Sequence, residues 1–371
     1  MAGYIMTLDS YEALLQCVKT GIYSTKMSQP KGSWLTHHEG TFADYLSMKP
    51  GDNIYFFIKR KIYGIGVLTN AGPDCKYLSY MDSLEPKTVQ EDKFKVCEPM
   101  FEYITPDNRC FCTFKPHPYF FSVGVDMDEA LNSNPSKFRM LRAMWKVSFI
   151  KIDDEENKAL FDIILKRNEQ NLLCQQNILE FSDSELKKIE HKKSTEYRLN
   201  AYKLLLSAAN ADKIKHEMAI EAALCETLIK DNDTPMGKWD YISHQVVASP
   251  FKPIDYMDKM DIFGYRYIPG YSTISKYLVI EIKRDAAGID VIGQIMKYVD
   301  WINSEYAHGD YSMIEAYVVA ADFPQEVIDE RDKVCKRTYL SGLRPAVSNE
   351  WTNVKLLKYS YENSKLIFNE V

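Results

Sequence analysis

The sequence predicts an α/β protein, α+β when the whole chain is counted, in three parts. Short β-branched and aromatic runs separated by turn residues fill residues 1–151, which predicts a small β-rich domain. Apolar residues at helical spacing follow over 152–212, which predicts a helical connector. From residue 213 to 371 the periodicity gives the order α-β-β-β-α-β, which predicts a mixed sheet flanked by helices.

Composition limits the classes of protein. The 371 residues are 46% apolar and 26% charged, which is typical of a globular protein. The net charge of −6 argues against a wide, non-specific nucleic-acid surface. No apolar run approaches the roughly 20 residues of a membrane span, and MAGYIMTLDS has no charged-then-apolar leader. Eight cysteines without a repeated CxxC pair indicate reduced thiols, so we expect a cytoplasmic protein with no membrane partner.

The first part contains a predicted helix and a predicted hairpin. Residues Ser10–Gly21 have a capping serine, apolar residues at helical spacing and a terminating glycine. After the Pro50-Gly51-Asp52 turn, strands are predicted over Asn53–Ile58 and Ile62–Leu68. The turn between them, Lys59-Arg60-Lys61, is a candidate for phosphate contacts, although basic hairpin tips are more often simply solvated.

This turn-strand-basic turn-strand pattern resembles PUA-like barrels, including EVE-type readers of modified bases. A late strand around Trp145 adds to the resemblance. A reader needs aromatic side chains to stack on a flipped base, and Trp34 and Trp145 are the candidates for that role. Aromatic residues at alternating strand positions are more often core, so both interpretations stay open.

The connector is predicted to contain three helices. Asp154–Arg167 and Glu196–Ala209 have apolar residues at helical spacing, and Ser182-Asp183-Ser184 can begin a helix between them. The amide-rich stretch Asn168–Asn177 is predicted to be irregular. The domain boundary therefore falls between residues 168 and 212.

Two neighbouring strands of the last part carry charges that can meet. In KYLVIEIK, residues 276–283, side chains alternate, so Glu281 and Lys283 share one face. A strand beginning at Lys259 carries Asp261, and the Pro269-Gly270 turn can return the chain as an antiparallel neighbour. Close carboxylates repel each other unless a cation lies between them, and all-oxygen ligation favours Mg²⁺ or Mn²⁺.

Helices supply further polar residues. In the predicted helix Asn210–Lys230, Glu217 and Glu221 continue the same stripe as two leucines, an unusual place for exposed acids. In the predicted helix Gly288–Asn303, Gln294 and Tyr298 lie one turn apart on a shared face. The remaining predicted elements are the strands Trp239–Val247 and Met313–Ala320, the helix Gln325–Lys336 and the hairpin Val354–Tyr359 with Lys365–Phe368.

The order Asp, ExK, QxxxY resembles the PD-(D/E)XK nuclease superfamily. The block VIEIKRDAAGIDVIGQIMKYVDWI is similar to the catalytic domain of NucS-like endonucleases, over roughly residues 213–320. The resemblance implies a restriction-endonuclease-like core and the backbone carbonyl of Ile282 as an extra metal ligand. It also implies a glutamate from the first helix, either Glu217 or Glu221, and roles for Gln294 and Tyr298 in orienting Lys283 or the DNA backbone.

We therefore expect a Mg²⁺- or Mn²⁺-dependent endonuclease acting on DNA in restriction or anti-phage defence, with an N-terminal recognition domain. Repair of mismatched or branched DNA is the second interpretation, and RNA as substrate stays open. A non-catalytic reader of modified nucleic acid is an alternative of another class. In that case Glu281 and Lys283 form only an ion pair at a sheet edge. By analogy with enzymes that cut both strands, a homodimer or higher homo-oligomer is expected.

Overall fold

A computed structural model of the chain describes residues 1–26, 43–78, 109–143, 148–197, 199, 201, 209–210, 213–230, 234–250, 256–363 and 365–371. The chain forms two compact units, Met1–Asn200 and Ala201–Val371. Among the described residues, no helix has both the length and the apolar character needed to cross a bilayer. Each unit mixes helices and strands, which confirms the predicted fold class. The functional division at residues 151 and 212 stays a prediction.

The first unit is built on one large sheet. Its strands are β1 Gly3–Thr7, β2 Ile22–Lys26, β3 Asn53–Ile58, β4 Lys61–Leu68, β5 Lys76–Leu78, β6 Arg109–Pro116, β7 Val125–Asp126 and β8 Phe149–Ile152. They run in the order β2-β6-β4-β3-β1-β8, with β5 on β6 and β7 on β4. Strand β1 is parallel to β3, and the other pairs are antiparallel.

The predicted helix and hairpin of this unit are present. Helix α1, Tyr11–Thr20, begins where the Ser10 hydroxyl accepts a hydrogen bond from the Ala13 N–H at 3.1 Å. It ends at Gly21, whose φ of 67° favours glycine and where a Cβ would lie 2.7 Å from the backbone oxygen of Phe114. Strands β3 and β4 are joined through Lys59 and Arg60, which both have positive φ, as a tight hairpin turn requires.

Helices of the first unit are α2 Met127–Ser133, α3 Met140–Ala143, α4 Asp154–Arg167, α5 Glu169–Cys174 and α6 Ser184–Lys192. Helix α4 has the predicted bounds. The stretch predicted to be irregular instead contains α5, which continues the chain after a single residue, Asn168, and buries none of its side chains. The predicted helix Glu196–Ala209 falls mostly outside the described residues, as do Trp34 and Trp145.

The second unit has the predicted α-β-β-β-α-β order. Its elements are β9 Ala209–Asn210, β10 Lys213–Ile214, α7 Glu217–Lys230, β11 Tyr241–Val247, β12 Lys259–Tyr267, β13 Ile274–Ala286, α8 Asp290–Glu305, β14 Ile314–Asp322, α9 Gln325–Val334, β15 Arg337–Ser341, β16 Val347–Trp351, β17 Val354–Glu362 and β18 Lys365–Glu370. The main sheet runs β11-β12-β13-β14-β17-β18. It is mixed, because β13, β14 and β17 are parallel and the other neighbours are antiparallel.

Two features of this unit differ from the sequence prediction. Helix α7 begins at Glu217 and not at Asn210, because Asn210 pairs with Lys213 in the β9–β10 hairpin. The β15–β16 hairpin, Arg337–Ser341 with Val347–Trp351, was not predicted, because its exposed strands lack an apolar alternation.

The core of the second unit positions the polar residues discussed next. Ile280, Ile282 and Val318 are fully buried in the central strands. Helix α7 packs on β11 and β13, and helix α8 packs on β13 and β14. Gly264 lets β12 lie close to β11, because a Cβ there would be 2.6 Å from the backbone oxygen of Tyr241.

Candidate active site

Asp261 and Glu281 face each other across β12 and β13. Ile262 pairs with Ile280 in this antiparallel ladder. Asp261 precedes Ile262 and Glu281 follows Ile280, so Asp261 and Glu281 lie opposite each other. Directly opposite side chains of an antiparallel pair project from the same face of the sheet. Asp261 is 8% exposed and Glu281 is fully buried. The sheet therefore brings together the two carboxylates that the sequence analysis paired.

Each carboxylate has a hydrogen-bond donor beside it. The Ile282 N–H donates to Asp261 Oδ2 at 2.8 Å, and the Lys283 ammonium lies 2.6 Å from Glu281 Oε1. The Lys283 side chain is 31% exposed, so its charge reaches solvent while its stem lies along the sheet. The site thus combines a buried acidic pair with a half-exposed cation on the same face.

Gln245 is a further member of the cluster that the sequence analysis missed. The pairing of His244 with Ile262 places Gln245 opposite Asp261 in the neighbouring strand β11. Its Nε2 donates to Asp261 Oδ1 at 3.1 Å. A single glutamine inside a strand changes neither the hydrophobic periodicity nor the charge pattern of the sequence. Only the register of strands β11, β12 and β13 could have indicated that Gln245 lies at the site.

Helix α7 brings both predicted glutamates to this face. Glu221 is 1% exposed and lies beside Gln245. Glu217, one turn earlier, is half-buried, and its Oε2 accepts a hydrogen bond from the Arg284 N–H at 2.8 Å. Both acids therefore contribute negative charge to the cluster, and Glu221 is the more deeply buried.

Burial and mutual repulsion disfavour ionisation of these acids. Burial, followed by the charge of Asp261, raises the pKa of Glu281 to about 8 and the pKa of Glu221 well above its usual range. Burial also raises the pKa of Asp261 to about 6, although the Ile282 N–H opposes the rise. Burial alone would lower the pKa of Lys283, but the adjacent Glu281 carboxylate outweighs it and raises that pKa. The ammonium is therefore stable at neutral pH.

Two carboxylate oxygens of the cluster lack hydrogen-bond partners. Among the described residues, nothing donates to Glu221 Oε2 or Glu281 Oε2, and both atoms are buried. Buried oxygens of this kind are costly unless an ion, water or proton satisfies them. Oxygen donors and an excess of negative charge are what a hard divalent cation requires.

The cluster is not a completed metal cage. Within the described ranges, no group of three or more His, Cys, Asp or Glu side chains is already arranged to hold a metal ion. Both oxygens of Asp261 are engaged by N–H donors, from Gln245 and Ile282. Each Asp261 oxygen has a second lone pair, so a cation at this site would share these oxygens with the N–H donors, while the unpartnered oxygens of Glu221 and Glu281 are available to it.

Gln294 and Tyr298 form a pair on helix α8. The Gln294 Nε2 donates to the Tyr298 hydroxyl at 2.9 Å. Burial raises the pKa of Tyr298, the hydrogen bond from Gln294 opposes the rise, and the charges of Glu281 and Asp261 add to it. Within the described part of the chain, neither side chain hydrogen-bonds to Lys283.

The remaining predicted binding residues belong to the first unit. Lys59, Arg60 and Lys61 are exposed at the β3–β4 turn, and Arg60 Nη2 lies 2.6 Å from Asp128. Trp34 and Trp145 lie outside the described residues. A phosphate contact of Arg60 would therefore have to compete with Asp128.

Comparison with known proteins identifies no family. No family model and no curated protein matches the chain. Human THYN1 protein, solved with DNA containing 5-methylcytosine, is 12% identical, with 46% of this chain and 98% of that chain covered and a TM-score of 0.26. A repair endonuclease from Pyrococcus abyssi is 21% identical, with 34% and 46% covered and a TM-score of 0.22. A Pseudomonas putida protein is 14% identical, with 44% and 97% covered and a TM-score of 0.26. These low scores assign neither a family nor an activity to this chain.

Proposed function

We propose that this protein is a Mg²⁺- or Mn²⁺-dependent endonuclease of the PD-(D/E)XK type that hydrolyses DNA phosphodiester bonds. The observation that carries the proposal is the register that sets Asp261 opposite Glu281, with Lys283 two residues further on the same face. Structural ion pairs need one acid for one base. Here four acids and a single lysine share the space, and two buried oxygens are unsatisfied.

Asp261, Glu281 and the backbone carbonyl of Ile282 are the proposed ligands of the cation. Their oxygens are the donors that Mg²⁺ and Mn²⁺ favour over zinc. When bound, the cation would lower the pKa of a coordinated water and offset the charge that develops on the phosphate. The protein contributes by holding the two carboxylates adjacent. Their raised pKa values disfavour ionisation in the metal-free protein, and a bound cation would favour it.

Lys283 is proposed to stabilise the developing negative charge on the phosphate and to orient the attacking water. Its pKa is raised by Glu281, so it is protonated and unsuited to act as the general base. Its half-exposed ammonium can approach a substrate, whereas Glu281 beside it cannot, because that carboxylate is buried. In this proposal Glu281 binds the cation, and Lys283 acts on the phosphate and the attacking water.

Two further sets of residues are proposed to support the reaction. Glu221, being buried beside Asp261 and Gln245, is the better candidate than Glu217 for the helix-derived acid of the metal site. Gln294 and Tyr298 hold each other in place, and their polar ends can orient the DNA backbone beside the acids. Glu217 is fixed by the Arg284 N–H, which suits it to shaping the edge of the site.

The wider setting is part of the same proposal. The first unit would act as a PUA- or EVE-like recognition domain, with Trp34 and Trp145 stacking on a base and Lys59, Arg60 and Lys61 contacting phosphates. The expected role is restriction or anti-phage defence by a cytoplasmic homodimer or higher homo-oligomer. Repair of mismatched or branched DNA is the second candidate role.

The test is a parallel cleavage assay. Purified protein is incubated with Mg²⁺ or Mn²⁺ and with plasmid, modified phage DNA or RNA. We expect cleavage of DNA by the wild type and none by Asp261→Asn or Glu281→Gln. Asp329→Asn removes an exposed acid on α9, outside the cluster, and should cleave like the wild type.

Three results would redirect the proposal. Equal cleavage by Asp261→Asn and the wild type would refute it. Cleavage confined to RNA would show that the substrate is RNA and not DNA. Tight binding of modified DNA without cleavage under any metal condition would favour the alternative function, a non-catalytic protein that binds modified nucleic acid.

A further inference from the structure

Gln245 has an unusual backbone conformation for a residue inside a strand. Its φ is 51°, in the left-handed region that residues with a Cβ rarely adopt. His244 and Val246 on either side keep their pairing with β12, so only Gln245 departs from the strand conformation. A local conformation of this kind persists where surrounding contacts hold it, and such positions cluster at functional sites.

Gln245 is next to two acids of the cluster. Its Nε2 donates to Asp261 Oδ1 at 3.1 Å. Burial raises the pKa of Glu221, and the neighbouring Gln245 side chain opposes that rise. A glutamine amide has two N–H donors on one nitrogen, so a single group can serve two carboxylates.

We infer that Gln245 is a positioning residue that holds Asp261 and Glu221 side by side for the divalent cation. The inference rests on the proposed function. The amide reduces the repulsion between the two acids but is itself neutral, so the cluster keeps the negative charge that attracts a cation. A lysine or arginine at this position would also join the acids, but it would cancel that charge and exclude the ion.

Gln245→Gly separates this role from a purely structural one. Glycine adopts a φ of 51° without steric cost, so the backbone of β11 is relieved and the urea midpoint of unfolding should match or exceed the wild type. The amide is lost, so the affinity for Mn²⁺, measured by titration calorimetry on the full chain, should fall about tenfold or more. Saturating Mn²⁺ should restore most of the DNA cleavage, because the variant lacks a positioning group and no reacting group.

The matched control is Gln325→Ala. That glutamine also donates to an acid, Asp329, but on the exposed surface of α9. Removing it should leave Mn²⁺ affinity and cleavage unchanged.

Each result decides between the inference and the proposed function. If wild-type protein binds no Mn²⁺, the proposed function is wrong and the inference falls with it. If wild type and Gln245→Gly bind Mn²⁺ equally, the proposed function stands and the role of Gln245 is wrong. A lowered unfolding midpoint that accompanies weaker binding would also overturn the inference, because the glutamine would then be structural.

Discussion

Replacing Glu281 by glutamine should make the metal-free protein more stable at alkaline pH while removing its response to metal. In the folded protein the pKa of Glu281 is about 8, because the carboxyl is buried opposite Asp261. The unfolded chain releases this proton near the ordinary value of 4.5. Between these values the folded state binds more protons, so stability decreases as pH rises through the window.

The size of the effect follows from the same values. Each pH unit of the window costs up to about 1.4 kcal/mol, so Glu281 accounts for at most about 5 kcal/mol of lost stability at pH 8.5. Asp261, whose pKa is also raised, releases its proton in the lower part of this window and adds to the slope, whereas Lys283 stays protonated throughout. Glutamine has no proton to release, so the variant should show a flatter dependence.

The assay is urea unfolding between pH 5 and 8.5, with and without Mn²⁺. At about 100 times its dissociation constant, Mn²⁺ should stabilise the wild type by about 2.7 kcal/mol. The same concentration should leave Glu281→Gln unchanged. Asp329→Asn, which changes an exposed acid, should follow the wild type in both respects. Equal pH slopes for wild type and Glu281→Gln, or equal Mn²⁺ stabilisation of both, would refute the reasoning.

Further predictions concern chemistry and packing. Lys283→Ala should cleave DNA at least about 100-fold more slowly than wild type while binding Mn²⁺ no less tightly, because only transition-state stabilisation is lost; unchanged cleavage rates would contradict this. EDTA should stop cleavage and added Mn²⁺ should restore it, whereas cleavage that persists in EDTA excludes a metal-dependent enzyme. Glu156→Gln should destabilise the first unit by about 1–3 kcal/mol in urea, because each oxygen of this buried carboxyl group accepts one backbone N–H and an amide would place its NH₂, which cannot accept, against one of those donors; a change below about 0.5 kcal/mol would contradict it. Gly264→Ala should lower the stability of the second unit by about 1–3 kcal/mol, because its Cβ would meet the backbone oxygen of Tyr241 at 2.6 Å; an unchanged urea midpoint would show that β11 moves away freely.

The convergence of Asp261, Glu281 and Lys283 was predictable because it needs only strand alternation and one antiparallel register. Apolar runs located both strands, and the Pro269-Gly270 turn set them as neighbours. The observed pairing of Ile262 with Ile280 follows from these local signals. Fold class was predictable because apolar runs bounded by turn residues mark the main strands and helices.

Features that depend on longer-range contacts were not predictable. Gln245 reaches the cluster through a left-handed backbone inside β11, which no composition or period encodes. The start of α7 was misplaced because the pairing of Asn210 with Lys213 competes with helix formation. The sequence also did not decide which of Glu217 and Glu221 serves the metal site. Packing against the sheet shows that Glu221 is the more deeply buried of the two.

Titration of Mn²⁺ into the full chain by calorimetry tests the central claim most directly. The account predicts one Mn²⁺ site per chain in the wild type, lost in Asp261→Asn and in Glu281→Gln and retained in Asp329→Asn. Absence of binding by the wild type, or binding that survives the loss of either opposing carboxylate, would contradict it.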